Sequence, residues 1–147
     1  MKKVRFQSLI LSVPILLICL SGCKEDIEPT VMKNPDLIVF PSEERQHAIV
    51  GQIINFEVLL SGEGATFTSL NVIQSYGSNN EVFELIDNPS SELLSPPLSE
   101  TFDFEASQSM AGKDVSLTFI YQNTQSTNSG GTIQNSGQKV IKIMVSE

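Results

Sequence analysis

Alternation of apolar and polar residues with a period of two is the feature that most constrains the fold of this chain. In the clearest run, Ile54, Phe56 and Val58 fall on one face of an extended chain. Asn55 and Glu57 fall on the opposite face, as successive side chains do in a β-strand. An amphipathic helix requires a period of about 3.6 residues, and no stretch of useful length shows it. The alternation therefore predicts an all-β fold.

The alternating runs are short, and most of them end at turns rich in glycine, proline, asparagine or serine. About seven such runs in a single domain indicate an antiparallel β-sandwich. Because Cys19 and Cys23 are the only cysteines and both precede the first run, we expect no disulfide within the sandwich. The predicted strands comprise residues 37–40 with a continuation at 47–50, and then 51–60, 66–74, 81–86, 98–106, 115–121 and 139–145.

Residues 1–22 have the layout of a secretory signal peptide. Lys2, Lys3 and Arg5 form its positive start, an apolar segment follows, and Ser21-Gly22 supplies the small residues before a cleavage site. The apolar segment is shorter than the roughly 20 residues that a transmembrane helix needs. We therefore expect residues 1–22 to be removed.

The end of this segment, Leu20-Ser21-Gly22-Cys23, resembles the lipobox of bacterial lipoproteins. The resemblance implies cleavage between Gly22 and Cys23 and attachment of a diacylglycerol to the sulfur of Cys23, so that the mature protein is held to a membrane through its lipid. Several acyl chains on one cysteine give a stable anchor, whereas one chain binds only marginally. An ordinary signal peptide with a cysteine beside its cleavage site is the alternative.

Residues 23–35 are predicted to be a lipidated acidic tether, because prolines interrupt them and they show no apolar period. Lys24, Glu25 and Asp26 resemble the surface-export signal of lipoproteins from the Bacteroidota. That resemblance implies a location in the outer membrane, facing the cell exterior. A solvated linker is the alternative interpretation of these charges.

Residues 36–147 resemble the immunoglobulin-like and fibronectin-like modules found in surface lipoproteins of the Bacteroidota. The pattern is clearest in 51–58, GQIINFEV, and in 111–119, AGKDVSLTF. The resemblance implies a single immunoglobulin-like antiparallel β-sandwich, although the chain lacks the tryptophan and the disulfide of antibody domains. A jelly roll or another Greek-key sandwich is the alternative.

The charge of the chain excludes one class of partner. The sequence has 17 acidic and 9 basic residues, and three of the basic ones lie in the predicted signal peptide. Nucleic-acid binding requires a basic surface. We therefore expect no nucleic-acid partner, and the acidity favours a well-solvated domain. Recruitment of a basic partner or of loosely held calcium is the alternative interpretation of the acidity.

The sequence does not suggest catalysis. His47 is the only histidine, and no residue near it is a candidate nucleophile. Asp103 and Glu105 lie two positions apart, which predicts a shared strand face, but solvated outer-face acids explain this pair without chemistry. The spacing of histidines and cysteines predicts no metal site. We therefore expect a protein that is not an enzyme and has neither cofactor nor metal.

Two features are candidates for ligand contact. Tyr76, in a predicted turn, is the best candidate for an exposed ring on which a sugar could stack. Residues 123–137 are predicted to form a long polar loop that includes Asn123 and Asn128. A mobile spacer is favoured over a binding loop, because the loop lacks anchoring aromatic residues.

The leading hypothesis is a non-enzymatic cell-surface lipoprotein that acts as an interaction or accessory module with a protein partner in the outer membrane. The alternative is a module that binds glycan or peptide for a nutrient-uptake system.

Overall fold

The computed structural model describes residues 35–62, 65–87, 97–127 and 130–147. Their elements are eight strands and one short 3₁₀ helix, η1, at Gln108–Met110. All described residues belong to one compact unit, Val31–Glu147. The strands are β1 (Asp36–Phe40), β2 (Arg45–Ile49), β3 (Ile53–Ser61), β4 (Ala65–Tyr76), β5 (Asn79–Asp87), β6 (Leu98–Glu105), β7 (Asp114–Ser126) and β8 (Thr132–Ser146).

The strands form two sheets. One has the order β1-β3-β6 and the other the order β2-β8-β7-β4-β5. Every pairing is antiparallel except that of β2 with β8, which is parallel. The predicted immunoglobulin-like β-sandwich is confirmed, with eight strands in place of about seven.

The first predicted strand divides between the two sheets. Residues 45–49 do not continue β1 in its own sheet but form β2 against β8. Pro41 directly follows β1, and proline cannot donate a hydrogen bond to a strand ladder. The chain crosses from one sheet to the other within residues 41–44.

Side chains that point inward from the two sheets form the core. Phe56 and Phe102 come from the three-stranded sheet, and Phe119 comes from the five-stranded sheet. The ring centroid of Phe119 lies 5.6 Å from that of Phe56 and 6.1 Å from that of Phe102. These distances are within the range of favourable aromatic contact, so Phe119 joins the two layers at the centre of the core.

The largest departure from the sequence prediction is at residues 123–137, predicted to be a loop. Here β7 and β8 continue as a hairpin in which Asn123 pairs with Asn135 and Ser126 pairs with Thr132. Only residues 127–131 connect the two strands. Apart from Ile133, both faces of this segment are polar, so the apolar alternation that identifies a strand is absent from it, although the ladder continues from the core.

Candidate functional site

Several predicted functional residues lie outside the described residues. They are the cleavage and lipidation residues Gly22 and Cys23, the export signal Lys24, Glu25 and Asp26, and the ligand-contact candidate Asn128. Their roles stay predictions.

The prediction that Tyr76 offers an exposed ring is wrong. Tyr76 is the last residue of β4 and only 7% of its surface is exposed. It has the same parity as Leu70 and Val72, so it points into the core as they do. The Lys113 Nζ lies 5.5 Å from the centroid of its ring, in the range of a cation–π contact. Tyr76 is therefore not available for stacking on a sugar.

Asn123, which was predicted to lie in a loop, is buried within β7. It follows Tyr121 on the inward face of β7, and only 1% of its surface is exposed. Neither its Nδ2 nor its Oδ1 has a hydrogen-bond partner. An unpaired buried polar group costs about 1–3 kcal/mol. The unpaired amide of Asn123 therefore marks the point where the polar hairpin meets the apolar core.

This burial predicts the effect of removing the amide. Leucine has nearly the shape of asparagine but no polar atoms, so Asn123→Leu should raise the free energy of unfolding of the isolated chain by about 1–2 kcal/mol. Urea unfolding would measure the change. Thr124→Val, on the half-buried neighbouring position of the opposite face, is the matched control and should change stability by less than about 0.5 kcal/mol. A loss of stability in Asn123→Leu would contradict the prediction.

A polar depression lies where the hairpin meets β4. Its volume is about 240 Å³. Thr68 belongs to β4 beside a β-bulge, and its Oγ1 donates to the backbone oxygen of Gln122 over 3.3 Å. The lining residues carry amides or hydroxyls without formal charge, which both donate and accept hydrogen bonds. The amide of Asn123 is the exception in position, because it is buried on the inward face of β7 and does not open into the depression. The lining residues are Thr68, Gln122, Asn123, Thr124, Gln134, Asn135 and Ser136.

The depression can bind a neutral, hydroxyl-rich or amide-rich ligand, because its donors and acceptors match sugar hydroxyls and peptide groups. No aromatic side chain lines it, so it lacks the stacking platform that would add affinity. The predicted contact residue Asn123 borders the depression, but its amide is buried, and the residues of β4 and β8 that share the site were not predicted. Only the strand order brings Thr68 beside Gln122.

Tyr121 fixes the base of the hairpin to the beginning of β1. Its hydroxyl donates to the backbone oxygen of Pro35 over 2.8 Å. Its ring lies against Gly137 of β8 and meets the ring of Phe67 edge-on, with centroids 5.7 Å apart. Burial, and to a smaller extent the negative charge of Asp36, raises the pKa of the Tyr121 phenol above its ordinary value of 10.0.

The raised pKa predicts how stability depends on pH. The folded chain keeps the Tyr121 proton above pH 10, whereas the unfolded chain releases it near pH 10. The contribution of this group is therefore fully present below pH 10 and declines as the pH rises through the folded pKa. Urea unfolding between about pH 8 and pH 11 should show this decline. It should be weaker in Tyr121→Phe, and an equal decline in this variant and in the wild-type chain would contradict the assignment.

The three residues considered for catalysis, His47, Asp103 and Glu105, lie exposed on β2 and β6. Asp103 and Glu105 share the exposed outer face of β6, as expected, and Asp103 accepts a hydrogen bond from the Nδ2 of Asn55. His47 is exposed on β2, opposite Met144 of β8. Within the described ranges, no group of three or more acidic, histidine or cysteine residues could hold a metal ion. The same part of the chain has no helix long and apolar enough to cross a membrane.

Comparison with known proteins finds distant similarity to solved structures. No protein-family model matches the sequence, and neither does any curated protein. Among solved structures, murine CRIg is similar at 12% identity and a TM-score of 0.45, covering 78% of this chain and all of that chain. A structure on T cell specificity and activation by the bacterial superantigen toxic shock syndrome toxin-1 is similar at 8% identity and a TM-score of 0.42. It covers 76% of this chain and 99% of that chain.

Proposed function

We propose that this chain is a non-enzymatic, lipid-anchored surface protein whose β-sandwich is an interaction module of the outer membrane. The lipobox-like Leu20–Cys23 and the charged residues 24–26 support the anchor and its outward location. The observation that carries the interaction role is the polar hairpin. It places a depression lined only by neutral polar residues beside a fully buried, unpaired amide.

The chemistry of the described acids supports a role without catalysis. Asp103 already accepts a hydrogen bond, and both members of the acidic pair face solvent. A general acid or base needs a partner that positions it and a site that excludes water. Neither acid lies in the polar depression.

The anchor can be tested on intact cells. We expect the wild-type protein to incorporate radiolabelled palmitate and to be degraded when a protease is added outside the cells. The Cys23→Ala variant should lose the label, whereas Cys19→Ala, in the predicted signal peptide, should keep it. Protection from protease until lysis would contradict surface exposure, and label retained by Cys23→Ala would contradict the lipid site.

A second candidate function is binding of a neutral glycan or peptide in the depression, as part of nutrient uptake. The uncharged lining favours it, since a charged ligand would find no opposite charge there. Such a site would bind weakly because it lacks an aromatic platform. A partner protein could use the same amides and hydroxyls, so the two functions differ in ligand and not in surface.

Ligand binding can be tested with the chain Val31–Glu147. Panels of neutral oligosaccharides and of neutral peptides would be screened by amide chemical-shift changes. Gln134→Ala should weaken binding about tenfold, the equivalent of roughly 1.4 kcal/mol. Gln52→Ala, an exposed glutamine outside the depression, should not. Shift changes confined to other surfaces would contradict the site.

A further inference from the structure

Most sheet edges of the described chain carry protection against pairing with another chain. Short strands, prolines and charged side chains are the usual devices. The strand β1 has five residues and is followed by Pro41, and β2 also has five residues and begins at Arg45. The edges of β5 and β6 carry carboxylates, namely Glu81, Glu84 and Asp87 on β5 and Glu100, Asp103 and Glu105 on β6.

Residues 132–138 of β8 have none of these devices, and we call this segment the open edge. The strand β2 pairs only with residues 142–146 of β8. Among the described strands, the open edge pairs with β7 alone. Its sequence, TIQNSGQ, contains no charge and no proline. Ile133 within it is 44% exposed, so a row of backbone donors and acceptors and an apolar side chain remain accessible.

The absence of charge in the open edge favours one kind of partner. Two copies of an acidic edge such as β6 would bring carboxylates together, whereas two copies of the open edge meet without any charged side chain. Antiparallel pairing of identical segments is generated by a two-fold axis, which closes the assembly at a dimer. An axis at Asn135, the midpoint of the segment, places Gln134 opposite Ser136 of the second copy.

We propose that the open edge pairs with the open edge of a second copy of this chain. The two five-stranded sheets then become one continuous sheet of ten strands. Pairing through seven residues buries less area than the roughly 1,600 Å² of a standard interface, so the dimer is weak and depends on concentration. This proposal needs neither the lipid anchor nor the ligand site, and it would survive the failure of either.

Sedimentation velocity of the chain Val31–Glu147 tests the proposal. We expect a monomer–dimer equilibrium between about 10 μM and 1 mM, the range of weak transient association. Ser136→Asp and Ser136→Lys each place like charges within a Debye length of each other across the axis, so each should weaken dimerisation at least tenfold. An equimolar mixture of the two variants should restore it as a heterodimer.

Controls separate this effect from misfolding and from charge in general. Ser78, exposed in the turn between β4 and β5, receives the same two substitutions, which should leave dimerisation unchanged. Urea unfolding should give both Ser136 variants the stability of the wild-type chain. A wild-type chain that stays monomeric at 1 mM would overturn the proposal. So would a dimer that is insensitive to both Ser136 variants, or a mixture that does not associate.

Discussion

Gly137→Ala is expected to destabilise the domain by about 2–4 kcal/mol, the sum of overpacking and a lost buried hydrogen bond. A Cβ at position 137 would lie 2.6 Å from both Cζ and Oη of Tyr121, closer than real contacts allow. Tyr121 cannot turn away without breaking its hydrogen bond to Pro35, because its ring is enclosed by the core. Chemical denaturation monitored by circular dichroism would measure the loss.

The controls for Gly137→Ala separate its two causes. Tyr121→Phe removes only the hydrogen bond and should cost about 1–2 kcal/mol. Ser136→Ala, the neighbouring exposed position of the same strand, should change stability by less than about 0.5 kcal/mol. Since the alanine methyl and the Tyr121 ring compete for the same space, Gly137→Ala combined with Tyr121→Ala should be less destabilised than the sum of the two single variants. Strict additivity would contradict the proposed clash.

Phe119→Ala is expected to destabilise the domain by about 3–5 kcal/mol. The side chain is fully buried and contacts the rings of Phe56 and Phe102 in the opposite sheet. Its removal would leave a cavity between the two layers and end both contacts. Because domains of this size are stable by only about 5–15 kcal/mol, the variant should be close to unfolding at physiological temperature.

The size of that effect depends on burial, which two further variants would check. Phe40→Ala removes the same atoms from a phenylalanine that is about half exposed on β1 and should cost less than about 1.5 kcal/mol. Phe119→Leu leaves a smaller cavity and should fall between the two. Equal losses from Phe119→Ala and Phe40→Ala in urea unfolding would contradict the role of Phe119 as the link between the sheets.

The strands of the core could be predicted because alternation is a local property. The inward sets, such as Phe56 and Val58 on β3 or Ile141 and Ile143 on β8, are fully buried as the period of two predicts. The fold class followed from the number and spacing of these runs. Alternation could not predict residues 45–49 as a separate strand, because only pairing with β8 distinguishes a new strand in the other sheet from a continuation of β1.

The candidate site could be predicted only in part, because its burial and strand pairing depend on residues distant in sequence. The turn residues that follow Tyr76 predict an exposed ring, but its burial depends on the core beneath β4 and on Lys113. The hairpin at residues 123–137 has polar residues on both faces, so no contrast marks its strands. The contact between Thr68 and Gln122 joins residues 54 positions apart, and local sequence holds no signal for it.

The sequence by itself determined the all-β class, the inward residues of the core strands, the acidity and the lipobox-like segment, because each is a property of neighbouring residues or of composition. The tertiary structure alone decided the burial of Asn123 and Tyr76, the extension of β7 and β8 into a hairpin, and the open edge left where β2 ends. The physical reason is that burial and strand pairing arise from contacts between residues distant in sequence. A residue's own neighbours set the direction of its side chain, but the opposing sheet decides what covers it.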